Sequence, residues 1–194
     1  MTGPIRIPGF RGEFLWELGI VTRQSLGLAD AFPAEKYDWR PDPKARSASE
    51  VFVHVAAGNF MLLDIVGARA PEDLFGAVSL EGPDRFKGLI QRNDELIAQV
   101  REKSAVTDLL RRSLSAVSDA ITRTPDDELG RSLFFFREQT TVRRVYLRLL
   151  VHNYEHMGQL IAYLRANGIA TPWQDWRPDR RGQDRHATDP TPDT

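Results

Sequence analysis

Between Glu13 and about Ala31 the apolar residues Phe14, Leu15, Leu18, Val21, Leu26 and Leu28 recur at helical rather than alternating spacing, which predicts a first helix. Pro33, Pro41 and Pro43 interrupt the chain before Ser47-Ala48-Ser49-Glu50, where Ser47 and Glu50 have the spacing of a capping box. A second helix is expected from there to about Gly67. From Ala68 to about Gly88 the pattern is broken by Pro71, Gly76, Gly82 and Pro83 and reads as loop with a short helical turn. Apolar positions resume at Leu96, Ile97 and Val100, then at Val106, Leu109, Leu110, Leu114, Val117 and Ile121. They predict a third main helix preceded by a shorter one, with Ser104 or Thr107 as its cap. The connection 125–138 contains Phe134-Phe135-Phe136, expected to close one end of the molecule. Thr140 or Thr141 then caps the longest helix, which Gly168 ends and Pro172 keeps from continuing. Four main helices without a strand pattern predict an all-α fold, an antiparallel four-helix bundle with short extra helices and loops.

The length of 194 residues favours one domain, read as residues 1–173, followed by a tail. From Gln174 to Thr194 the chain is charged and interrupted by proline; it is expected to be a mobile polar tail. Lys and Arg number 26 against 27 Asp and Glu, so no basic field favours a nucleic-acid partner. Zero cysteines exclude a disulfide framework, a thiolate zinc site and a cysteine nucleophile. The N-terminal stretch lacks the apolar core of a signal peptide, and no run of about 18 apolar residues reads as a membrane span. A cytoplasmic protein with no membrane partner is the expectation.

His152 and His156 stand four apart on the last helix, so that their Cβ atoms lie about 5–6 Å apart on one face, close enough to share a metal ion. The helical repeat puts Val145, Leu149, His152, His156, Gln159 and Tyr163 in one stripe, with Arg148 and Glu155 to one side. On the second helix His54 borders the apolar stripe of Val51, Val55, Met61, Leu62 and Ile65. Gly58, one turn on, leaves space for an ion, a ligand or a packed helix. Spacing alone leaves open both a metal site and histidines satisfied by carbonyl or carboxylate groups. His186 sits in the polar tail and is read as solvated.

The last helix and its exit, TTVRRVYLRLLVHNYEHMGQLIAYLRANGIATPW, together with Tyr37-Asp38-Trp39-Arg40-Pro41 and SASEVFVHVAAGN, resemble the DinB-like (DinB/YfiT) superfamily of four-helix-bundle metalloproteins. The resemblance implies a divalent ion, zinc or nickel, held by His54, His152 and His156, with an open coordination position as in catalytic sites. It also implies a homodimer. Some members that this chain resembles are thiol S-transferases and others thiol-requiring isomerases. A thiol-dependent S-transferase acting on a small-molecule substrate is therefore the first functional expectation, with a low-molecular-weight thiol as cosubstrate. A non-catalytic metal-binding stress-response homodimer is the alternative. Glu155 departs from the family pattern, where relatives often carry another histidine. Gln159 is a candidate for orienting a ligand and Glu155 for assisting proton transfer, but the sequence names no catalytic general base.

Overall fold

A computed structural model describes residues 9–76 and 82–173. The tail from Gln174, His186 within it, and residues 1–8 and 77–81 lie outside the described residues. The long helices are α1 (Gly9–Ala31), α2 (Ala48–Val66), α4 (Gly82–Gln99), α5 (Lys103–Arg123) and α6 (Val142–Ala166), with a single-turn α3 at Glu72–Phe75. Helices α1, α2, α5 and α6 form the bundle: α2 packs on α5 and α6, and α1 packs on the same two. Helix α4 lies against the outer side of α2. Contacts of Arg46 with Tyr163, of His54 with His156 and of Gly58 with His152 show that α2 and α6 run antiparallel. Bonds from Arg11 to Thr124 and from Lys103 to Asp30 show the same of α1 and α5. Helix α4 is the crossover that returns the chain, so that α5 starts beside the start of α2, where Arg101 meets Glu50 at 2.9 Å.

The start of α2 is fixed at every donor. The N–H groups of Ala48 and Ser49 donate to Trp39 and Tyr37 carbonyls at 3.0 and 2.8 Å. The capping box is formed: the Glu50 N–H donates to Ser47 Oγ at 3.3 Å, and the Ser47 N–H donates to Glu50 Oε2 at 2.8 Å. Gly67, with φ 104°, ends α2 and Gly168, with φ 69°, follows the end of α6. Both sit in Schellman turns, in which Ala68 N–H reaches Leu63 O and Ile169 N–H reaches Leu164 O, each at 3.0 Å. Among the described residues one helix, α2, is long and apolar enough to cross a membrane, and 61% of that stretch is buried inside the bundle.

Several local expectations are corrected. Helix α1 begins at Gly9, ahead of Glu13, with Phe10 and Phe14 rings 6.0 Å apart. Helix α4 is longer than the short helix read around Leu96 and takes in residues 82–88 of the stretch that reads as loop, because Pro83 falls in the first helical turn, where a missing N–H costs nothing. Helix α5 has neither expected cap: Glu102 precedes it without a side-chain cap, and Thr107 Oγ instead donates to the Lys103 carbonyl at 2.8 Å. Of the two candidates for α6, Thr141 is the cap, accepting from the Arg144 N–H at 3.3 Å. The connection before α6 is an antiparallel hairpin, β1 (Ser132–Phe135) with β2 (Glu138–Thr141), Phe135 opposite Glu138. Phe134 and Phe136 do not close the bundle: they are 72% and 71% exposed. Its two-residue turn puts Phe136 and Arg137 at φ 47° and 67°, the pattern of a type I′ turn that favours Asn-Gly. Side chains with a Cβ are strained there, at a cost of about 1–3 kcal/mol each.

Candidate metal centre

His54 lies in the second turn of α2, and His152 and His156 lie one turn apart on the facing side of α6. Their ring centroids are 5.0 Å (His54 to His152), 4.8 Å (His54 to His156) and 4.7 Å (His152 to His156) apart. His54 Nε2 and His152 Nε2 stand 3.2 Å apart, and ligand nitrogens of all three lie within 4.8 Å of one another. Two nitrogens bound at 2.0–2.1 Å to one tetrahedral ion would be about 3.3 Å apart. The bundle thus brings together all three residues singled out in the sequence. All are half-buried.

Two features below the rings hold this geometry. Asn153 donates to Asn59 Oδ1 at 2.7 Å, and Asn59 donates to Ser113 Oγ at 3.1 Å, all three side chains being buried. This chain locks α2, α5 and α6 in register one residue from His152. Gly58 forms the floor under His152: a Cβ there would stand 2.7 Å from the ring's Cε1. The space left by this glycine is filled by an imidazole, not by a closely packed helix backbone.

Electrostatics keep two of the rings neutral. Burial, then the nearby Arg46 charge and the other two histidines, push His54 down to about 3. Burial, His156 and Arg148 push His152 down to about 4, against the opposing pull of Glu155. Neutral imidazoles are the form that binds metal. Imidazoles bind metal in their uncharged form, so an ion here would keep its positive charge for a further ligand.

The tautomer of the neutral His156 ring follows from a chain of hydrogen bonds. The Arg46 carbonyl can only accept, so Tyr163 donates its hydroxyl to it at 3.1 Å. That hydroxyl accepts from Gln159 Nε2 at 2.8 Å, which turns Gln159 Oε1 toward His156 Nδ1 at 2.9 Å. Nδ1 must then carry the proton, leaving the Nε2 lone pair of His156 for a ligand, the outer-shell arrangement common to metal-binding histidines. His54 Nδ1 and His152 Nδ1 are buried without a hydrogen-bond partner among the described residues, so packing rather than hydrogen bonding sets their angle. Glu155 points away into a two-point pair with Arg148 at 2.8 and 3.0 Å and is exposed.

The sequence of residues 17–160, which carries all three histidines, matches the DinB superfamily. The chain belongs to the DinB superfamily. A DinB-like protein of Bacillus cereus ATCC 10987 has a similar structure, with TM-score 0.64 and 17% identity, over 84% of this chain and 95% of that one. The DinB-like protein YjoA of Bacillus subtilis is more distant, with TM-score 0.51 and 14% identity over 80% and 92% of the two chains. At such identities the likeness shows the DinB fold alone. No curated protein matches the chain.

Tyr163 and the Arg46 carbonyl are the site residues that sequence reading missed as a set. Tyr163 was visible on the histidine stripe, four residues after Gln159, but nothing in a sequence marks which backbone carbonyl will accept from it.

Proposed function

We propose that this DinB-superfamily chain holds one divalent ion, zinc or nickel, on His54, His152 and His156, and works as a metal-dependent enzyme with a diffusible low-molecular-weight thiol. The observation that supports the metal reading is the pair of Nε2 atoms 3.2 Å apart within a cluster of three imidazoles, two of them held neutral. When bound, such an ion supplies a Lewis acid that lets a thiol lose its proton near neutral pH. The chain contributes the rest. Gln159 and Tyr163 fix the tautomer of His156, Gly58 leaves room for His152, and the Arg46 charge beside His54 favours an anionic ligand. The sequence contains no cysteine, so the sulfur of an S-transfer must arrive with the thiol. Glu155 is engaged by Arg148 in this arrangement.

Elemental analysis of untagged protein is expected to give about one transition-metal ion per chain. His54→Ala, His152→Ala and His156→Ala should each lose most of it, and His186→Ala should retain it. Absence of metal, with no zinc or nickel binding at neutral pH, would refute the site. Turnover of chloro-aromatic or epoxide electrophiles with a panel of thiols, lost on chelation, tests the transferase reading. Stoichiometric metal without turnover for any pair would favour the non-catalytic metal-binding module.

A further inference from the structure

A wide cleft lies away from the histidines. It measures about 1010 Å³ and opens between the end of α2, the start of α4 and the hairpin. Asp64 on its wall is ten residues from His54, about 15 Å along α2. The volume is at the upper end of the range typical of small-molecule sites.

Its walls combine two chemistries. Ile65, Phe86, Leu89, Phe134 and Phe136 make an apolar lining, with Phe86 and Phe136 edge to face at 5.9 Å. Among the described residues Asp64 is the one carboxylate on it. Arg85 engages Asp64 at 2.5 and 2.7 Å, and the Ala70 N–H donates to it at 2.8 Å, so its charge is already matched. Arg69, Lys87 and Arg137 also line the cleft. Lys87 has an exposed partner in Asp84 at 3.2 Å, whereas Arg69 and Arg137 form no ion pair among the described residues. The cleft therefore carries a surplus of positive charge around an aromatic floor.

The turn adds an independent observation. Phe136 and Arg137 occupy two left-handed positions at which Asn-Gly would be relaxed, and each contributes its side chain to the cleft. A turn selected only to join β1 to β2 has no reason to hold an aromatic ring and a guanidinium in strained backbone.

We propose that this cleft is a second ligand site, separate from the histidine centre, for a small amphipathic monoanion with an aryl or acyl body and a carboxylate or sulfonate head. The body lies on Phe86, Leu89 and Phe136, and the head meets Arg69 and Arg137. A neutral apolar molecule would cover these cations without pairing them. A second copy of the chain, docked by twofold symmetry, would set the same cations against each other.

Fluorescence titration of the full chain with anilinonaphthalene sulfonate, beside phenylnaphthylamine, the same arene without the sulfonate, tests the proposal. The sulfonate should bind at least tenfold more tightly. Arg69→Gln with Arg137→Gln should weaken it at least tenfold and change phenylnaphthylamine less than twofold, and His152→Ala should leave both probes unaffected. Phe136→Asn with Arg137→Gly should melt no lower than wild type, because it supplies the residues the turn favours, and yet lose the sulfonate. Equal affinity for the two probes, or sulfonate binding indifferent to both double variants, would overturn the proposal. So would a lower melting temperature of the turn variant, which would make Phe136 and Arg137 structural. Conversion of a dimer to a monomer by that variant would also overturn it, by assigning the face to a contact between copies.

Discussion

A single missing methyl group at Gly58 sets the position of His152. Alanine in a helix is ordinarily more stable than glycine by about 1 kcal/mol, so a bland helix position would gain from the change. Here the new Cβ would meet Cε1 at 2.7 Å, and Asn153 bonded to Asn59 prevents the helices from separating to relieve it. Gly58→Ala is therefore expected to turn the His152 ring away and weaken zinc or nickel binding roughly tenfold or more, about 1.4 kcal/mol. Helical circular dichroism should stay intact. Competition titration against a chromophoric chelator reads this directly; unchanged affinity with a raised melting temperature would show that the ring has room to spare. The histidine pair on α6 was legible because i, i+4 spacing places two side chains on one face. The helical repeat placed His54 at the margin of the apolar stripe of α2 but not beside the pair, since convergence with a residue 98 positions away depends on how two helices pack. The resemblance of SASEVFVHVAAGN to the family's second-helix pattern is what joined it to them.

At the scale of elements, long amphipathic helices with paired end signals were legible, as the Ser47 and Glu50 box and Gly168 illustrate. The hairpin was not: Ser132–Phe135 and Glu138–Thr141 are four residues each, and a Phe-Arg turn lacks the glycine signal that marks a two-residue hairpin. Helix α4 was obscured by Gly82 and Pro83 at its first turn, although Leu89, Asn93 and Leu96 do recur on a buried face. Helix α6 also has an outer face, on which Leu147, Val151 and Tyr154 follow i, i+4, i+7 spacing and are 43%, 46% and 37% exposed. Tyr154 donates to Glu17 on α1 at 2.7 Å, beside the exposed Trp16. This is the face we propose for the homodimer that the family resemblance implies. Leu147→Glu with Val151→Glu should shift the light-scattering mass from dimer to monomer while leaving helical content intact, because neither side chain is in the core. A monomer mass for the wild type across micromolar concentrations would remove the homodimer from the proposal.

At the scale of the whole molecule, placing neutral histidines between α2 and α6 makes the metal-free bundle acid-sensitive. The groups that set this are Arg46 beside His54, Arg148 and Glu155 beside His152, and the three rings facing one another. In the unfolded chain a histidine protonates near 6.5; in the bundle His54 and His152 do so only at about 3 and about 4. The unfolded state therefore binds more protons throughout that interval, and folding stability falls as pH falls. The contribution is complete above about 6.5, declines from there, and is gone once pH has dropped through the folded values. Carboxylates titrate lower: at Asp64 burial, which raises the value, is outweighed by hydrogen bonds from Arg85 and the Ala70 N–H. The interval from pH 6.5 to 5 thus isolates the histidines. With screening by solvent at these half-buried rings, the two together should lose roughly 1–3 kcal/mol over it. For a chain of this size that is a fall of roughly 3–12 °C in the melting temperature of chelator-treated protein. His54→Leu with His152→Leu should flatten the profile, and His186→Ala should leave it as steep as wild type. Metal-loaded protein should start higher at pH 7 and fall faster, because protons displace the ion from the same nitrogens before they charge the rings. The loaded and metal-free curves should then meet in acid. A metal-free wild type whose melting temperature is flat from pH 6.5 to 5 would mean that the rings accept protons in the folded bundle as readily as in water, and that the cluster is open to solvent.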